Sequence, residues 1–250
     1  MRVLGFDPSL THFGWALAEW GPGEAQPKCL ARGELRTSAS TLFVDRYRDL
    51  QDGLRTLVRA HPGVLASAEY SVFGELYSEG MYGVFLYMCE ALRDEKCSLV
   101  LWSPFHLKAQ ARDFLRRPPK WRMTKSDMID GARRSTGVRH PPWSEHQADA
   151  WWAARTGCRF WLLQQGAIAE SDLTPLERAQ FTEVRVRKKG ALAGTIEQKG
   201  ALHKEDKRFF LWGDHDEEEG QQGDRRGPRR GAGGEHEGST QAQGKTNRQT

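Results

Sequence analysis

Met1-Arg-Val-Leu-Gly-Phe-Asp-Pro-Ser-Leu-Thr-His-Phe-Gly-Trp15 decides how the rest of the chain is read, because it sets one carboxylate at the end of an apolar strand. Val3 to Phe6 carry no polar side chain on either pleat face, as expected of a central strand covered on both sides. Asp7 ends the run. Pro8 to Thr11 are turn formers and Phe13 to Ala18 resume an apolar run, so the stretch reads strand, tight turn, antiparallel strand. Two readings of Asp7 are open. A rigidly held acid beside an apolar strand needs a cation, a donor or a proton to compensate its burial. Alternatively, Asp7 closes an Asx-turn over Pro8 to Leu10.

Working outward, Gly21 to Lys28 is a Gly/Pro turn and Cys29 to Leu35 returns as a third strand. Thr37 to Ser40 offer caps for a helix whose apolar positions, Phe43, Tyr47, Leu50, Leu54 and Leu57, step by three and four. It stops at His61-Pro62-Gly63. Val64 to Tyr70 is another apolar strand ending in an acid, Glu69, and a strand reached through a helical crossover lies parallel to its partner. If the two strands are adjacent, Asp7 and Glu69 meet at one sheet edge, where they repel unless a cation lies between them. Glu69 as an ordinary surface acid is the competing account.

Residues 75 to 95 place Met81, Val84, Phe85, Met88, Ala91 and Leu92 at helical spacing, with Tyr82, Leu86 and Tyr87 on the remaining arc. A helix so widely apolar needs cover on two sides, from the sheet and from either further core or a second subunit. Ser98 to Trp102 is a fifth strand, and Ser103-Pro104 caps the next helix.

From Lys108 to Arg134 nine basic residues face three acids, and Arg116-Arg-Pro-Pro-Lys-Trp-Arg122 breaks the helix with Trp121 between two cations. Lys108, Arg112, Arg116, Arg117, Lys120, Arg122 and Lys125 with Trp121 suit phosphate contacts plus base stacking. A solvated basic face is the duller account. Thr124 with Asp127 caps a second short helix that Gly137 closes.

In the next helix, Ser144 and Gln147 form an S-x-x-Q capping box. His146, Asp149, Ala150, Ala153, Gly157 and Phe160 share one arc, polar in its first turn and mostly small thereafter, which permits close approach to a sheet. Arg155 and Arg159 are expected to point the other way, to solvent.

The bulk numbers agree with this plan. At 250 residues there is room for one large domain or two small ones, and nine Trp support a packed core. Residues 1–212 carry a net charge of +6 against +4 for the whole chain, a pointer to polyanions. Cys29, Cys89, Cys97 and Cys158 form no CxxC pair, which argues against a zinc site or a disulfide framework. No stretch approaches bilayer-spanning length and the N-terminus lacks a signal-peptide pattern, so a cytoplasmic protein without membrane contact is expected.

The quoted first stretch, Glu69 after its apolar strand, and E-H-Q-A-D-A-W-W-A-A around His146 and Asp149 resemble the RuvC family of Holliday junction resolvases, over residues 1 to about 165. The resemblance implies an α/β fold of the ribonuclease H-like class, a mixed five-stranded sheet flanked by helices. It also implies a homodimeric endonuclease that cuts branched DNA with two Mg²⁺ ions, Mn²⁺ being possible. Asp7, Glu69, His146 and Asp149 then occupy the metal positions. Lys108 and Lys125 match two lysines that approach junction phosphates, and Phe73 or Tyr70 could stack at the opened junction. Continuation past the terminal helix looks more like phage-encoded relatives.

Residues 1–166 are thus expected to form the nuclease domain. Residues 167–212 read as a small basic β-rich extension that clamps DNA or covers a sheet edge, and 213–250 as a disordered tail. Two rival readings are open: another ribonuclease H-like nuclease, and an actin-like or sugar-kinase-like ATPase. The latter needs a second Gly-rich phosphate loop, and none occurs near Asp127, Asp130 or Asp149.

Overall fold

A computed structural model describes residues 1–21, 23–70, 79–181, 184–186, 196–198 and 209–210, all within one compact unit, Met1–Asp214. Phe73, half of the extension and the whole of 213–250 lie outside the described residues.

The opening hairpin is β1 (Arg2–Asp7) and β2 (His12–Glu19), with Asp7 registered opposite Gly14. β3 (Lys28–Arg36) continues the meander antiparallel to β2. Helix α1 (Phe43–Ala60) crosses to β4 (Leu65–Glu69), which pairs parallel to β1, so the acids Asp7 and Glu69 end neighbouring strands. Helix α2 (Glu79–Asp94) crosses to β5 (Leu99–Trp102), parallel to β4. The sheet runs β3-β2-β1-β4-β5 and gains a sixth strand, β8 (Phe209–Phe210), antiparallel on β5. The five expected strands are all present, and two residues of the extension add to them along the outer edge of β5. The extension also forms the antiparallel pair β6 (Val184–Val186) and β7 (Ile196–Gln198).

Alternation along the strands divides the core in two. Leu4 and Phe6 of β1 and Leu99 and Leu101 of β5 pack toward α1 and α2. Val3, Val100 and Trp102 face the other side, where α5 (Glu145–Gln164) lies on the sheet beneath α3 (Pro104–Phe114), α4 (Lys125–Thr136) and α6 (Pro175–Phe181). The small arc of α5 is used for close approach: a Cβ on Gly157 would meet Ser67 Cβ at 2.5 Å. Ser67 Oγ donates to Ala153 O (2.6 Å) and accepts from Trp102 Nε1 (2.8 Å), tying β4, β5 and α5 together at zero exposure of Ser67.

Three details correct the sequence reading. Arg155 and Arg159 do not face solvent. Arg155 is buried against Trp20, Phe114 and Trp152 at 5.4–5.8 Å, and Arg159 pairs with Glu177 of α6 at 3.0 Å. A helical wheel assigns one packed face, whereas α3, α4 and α6 supply α5 with a second. Thr37 to Ser40 do not cap α1, whose N-cap is Leu42 with no side-chain bond. The Thr37 hydroxyl instead donates to Leu10 O and accepts from buried Arg46 Nε (2.9 Å). Only half of the Ser144/Gln147 box forms: Gln147 N donates to Ser144 Oγ (3.2 Å), while the Gln147 side chain turns to Arg32.

Elsewhere the end signals act as expected. Ser103 accepts from His106 N before Pro104, and Thr124 and Asp127 form a reciprocal box at α4. Gly137 ends α4 at φ 70°, a left-handed conformation that glycine adopts without strain. Among the described residues no helix is long and apolar enough to cross a membrane.

Candidate metal centre and nucleic-acid face

Three carboxylates converge at the C-terminal ends of the two central parallel strands. Asp7 comes from β1, Glu69 from β4 and Asp149 from the second turn of α5, and one oxygen of each lies within 4.8 Å of the others. Gly14 lets the first turn of α5 sit this low, since a Cβ there would overlap the His146 backbone. His146 Nδ1–H donates to Asp7 Oδ2 at 2.6 Å, and its ring stacks on exposed His12 of β2, centroids 5.7 Å apart and planes 3° from parallel. His146 Nε2 lies 3.7 Å from Glu145, whose other oxygen takes Lys125 Nζ at 2.6 Å.

Burial of like charges governs the electrostatics. Desolvation, then the charges of Asp7 and Asp149, push Glu69 up to about 8. Desolvation, then Asp7, push Asp149 up to about 7. Asp7 is also raised by burial, opposed by its hydrogen bond to His146, and that same bond raises the imidazole. Lys108 contributes positive charge that opposes the upward shifts of Glu69 and Asp149. Asp149 Oδ1 is buried with no hydrogen-bond partner. A buried carboxylate oxygen without a partner on one of three clustered acids calls for a compensating cation, and the three carboxylates fit a hard divalent ion such as Mg²⁺ or Mn²⁺.

Of the remaining sequence candidates, Tyr70 follows Glu69 and packs on Phe85 at 5.0 Å. Arg112 lies half-buried on α3, whereas Arg116, Arg117, Lys120, Trp121 and Arg122 are exposed between α3 and α4. Trp121 is sandwiched less symmetrically than the sequence suggests: Arg117 lies over its ring at 5.0 Å and its Nε1 donates to Asp127 at 3.3 Å. One face of the indole is thus occupied by a cation.

Sequence reasoning missed Arg32. From β3 its guanidinium reaches Pro141 O, Pro142 O and the Gln147 side chain, and it stacks 4.0 Å over Trp143. One side chain therefore clamps the turn that leads into His146. No local pattern marks it, because its partners lie more than a hundred residues away. His12 was also missed, although its position one residue before the apolar part of β2 put it beside the end of β1. Arg32→Ala should lower the melting temperature modestly, by an amount equivalent to about 1–2 kcal/mol, while loosening the His146 ring. A histidine resonance of His146 that keeps its wild-type shift in Arg32→Ala would refute the clamp.

Acids ending two adjacent parallel strands of a β3-β2-β1-β4-β5 sheet, met by an acid from a helix packed across them, define the ribonuclease H-like class of fold. Within that class the chain is similar to RuvC. Thermus thermophilus RuvC superposes with a TM-score of 0.54 at 19% identity, covering 67% of this chain and 98% of that one. The same protein in complex with a Holliday junction substrate gives the same values. In sequence, 67 residues are 39% identical to a crossover junction endodeoxyribonuclease RuvC from Parafrankia sp. (strain EAN1pec), 26% of this chain and 37% of that relative's length. No family model matches the chain.

Proposed function

We propose that this chain is a structure-selective DNA endonuclease that resolves four-way Holliday junctions by hydrolysing phosphodiesters. The carrying observation is the convergence of Asp7, Glu69 and Asp149, the last with a buried oxygen that has no partner, on a fold shared with RuvC. Asp7 would ligate both of two ions, Glu69 one and Asp149 the other, with Mg²⁺ preferred and Mn²⁺ tolerated. When bound, two such ions would supply Lewis-acid activation of water and stabilisation of the leaving oxygen in an in-line displacement.

The chain's own groups do the rest. His146, held by Asp7 and stacked on His12, serves as a ligand or orients the attacking water; Glu145 is the alternative for either role. Lys108 and Lys125 neutralise phosphates at the site, and Arg112, Arg116, Arg117, Lys120, Trp121 and Arg122 extend the contact along the arms. Tyr70 or Phe73 stacks on a base at the opened crossover. In this reading residues 1–166 are the nuclease domain, 167–212 an extension that seals the β5 edge, and 213–250 a tail.

Homodimerisation is part of the proposal. One side of α2, Val84, Met88, Ala91 and Leu92, is buried in the core, yet Tyr82 and Leu86 elsewhere on the helix are 49% and 46% exposed, an apolar arc that a second copy would cover. Two copies would place one centre on each of two strands.

The deciding experiment offers the protein a four-way junction, a linear duplex of the same sequence and an RNA–DNA hybrid, with Mg²⁺, Mn²⁺ or a chelator. Paired nicks in the junction alone, abolished by chelation, are expected. Preferential cleavage of the hybrid would instead make it a ribonuclease H-like enzyme of another specificity. Sedimentation that gives only monomer at working concentration would remove the dimer.

A further inference from the structure

Beyond the centre, the end of α4 carries a basin with a different composition. Arg133, Arg134, Gly137, Arg139 and Asp130 line an open concavity of about 330 Å³. Gly137, at φ 70°, turns the chain back after the helix so that Arg139 closes the basin against the last helical turn. Its single acid, Asp130, is already taken by Arg134 at 2.8 Å. Neither Arg133 nor Arg139 has a carboxylate within salt-bridge distance among the described residues, and all three arginines are exposed. Two uncompensated guanidiniums therefore share one concave site.

The helix dipole accounts for part of this. Cations in the last turn of a helix are favoured by its partial negative charge, which explains Arg133 and Arg134. It does not explain Arg139, which lies beyond the cap, nor the convergence of like charges on one hollow. A planar guanidinium pair around a concavity matches a tetrahedral, doubly accepting anion such as a phosphodiester.

Position supplies the identity of that anion. Lys125, the first residue of α4, touches Glu145 beside the metal centre. Arg133 is eight residues further along the same helix, roughly 12 Å at helical rise. That length corresponds to about three or four base pairs of duplex. We infer that the Arg133/Arg139 basin, with Arg134 at its wall, seats a backbone phosphate of a junction arm about three or four base pairs from the scissile position. This rests on the nuclease reading above and adds a substrate subsite to it.

The test measures junction affinity against salt for the full chain, with Ca²⁺ in place of Mg²⁺ to prevent cleavage. Arg133→Gln with Arg139→Gln should weaken binding about tenfold and flatten the slope of log Kd against log salt by about one. Arg133→Lys with Arg139→Lys should restore most of the slope, because it depends on charge. A junction carrying neutral methylphosphonates at the third and fourth phosphates of the arm should weaken the wild type similarly and weaken the Gln variant no further. Equal slopes for wild type and Gln variant, or losses from variant and methylphosphonate that simply add, overturn the basin. A wild type that binds the junction no better than linear duplex overturns the parent reading instead, and is seen before any variant is made.

Discussion

Replacing Asp7 by asparagine should cut divalent-dependent junction cleavage to less than about one-thousandth of the wild-type rate while leaving junction binding in place. The carboxamide keeps the shape of the side chain and can still accept from His146, so the fold and the proposed DNA face persist. It removes the charge central to the cluster, since Asp7 pushes both Glu69 and Asp149 upward. An Asp7→Asn protein that still nicks a junction at a substantial rate would end the metal-centre assignment.

The same substitution should alter stability in a direction that can be worked out. Glu69 titrates near 8 in the fold against an ordinary 4.5, and Asp149 near 7 against 3.8. Groups with raised values hold protons in the folded state that the unfolded chain releases. Their contribution is complete below about pH 4 and is lost progressively as pH rises to about 8. His146, also raised, changes in the same sense over the upper part of that window. The metal-free wild type should therefore melt at falling temperature from pH 5 to 8, and Mg²⁺ should reverse the loss most strongly at pH 8. In Asp7→Asn both the pH slope and the Mg²⁺ rescue should shrink. Calorimetric melting across this range with chelator or Mg²⁺ checks both, and a wild type that gains stability with pH in chelator would contradict the buried cluster.

These acids were legible in the sequence because each sits at a grammatical boundary. Asp7 stops an apolar run before Pro8, Glu69 stops the next strand reached by a helix, and Asp149 lies one turn beyond a Ser144 cap. Parallel pairing of β4 with β1 then follows from crossover topology and brings two of them together. What escaped notice depends on layers rather than on periodicity. Arg155 was expected in solvent because a helical wheel cannot know that three further helices pack over α5. Thr37 looked like a cap because its hydroxyl is suited to one, yet the buried Arg46 has a stronger claim on it. Arg32 had no signature at all, since a clamp between β3 and the turn before α5 exists only once the sheet has formed. For β8, nothing local announces which sheet edge it joins.

Close approach of α5 is the feature on which the centre stands, and glycine substitutions there should carry the largest stability effects. A Cβ on Gly5 would overlap the backbone of Ala150 and Ala154, and Ala150 directly follows Asp149. Backbone cannot swing aside like a side chain, so α5 must lift as a whole. Gly5→Ala should cost about 3 kcal/mol or more and abolish the Mg²⁺-dependent rise in melting temperature, because Asp149 and His146 leave with the helix. Gly157→Ala makes an informative contrast. Its new methyl meets the Ser67 side chain, with Val3 Cγ1 at 3.2 Å, so it should cost about 1–3 kcal/mol. Ser67→Gly would remove the obstructing atoms but strand the Trp102 Nε1–H donor, itself worth about 1–3 kcal/mol. The double variant Ser67→Gly with Gly157→Ala should therefore be more stable than the sum of the two single losses, whereas Gly5→Ala should gain nothing from Ser67→Gly. Additive losses for the Ser67/Gly157 pair, or a Gly5→Ala protein that melts like wild type, would mean that α5 does not lie against the sheet as closely as the three acids require.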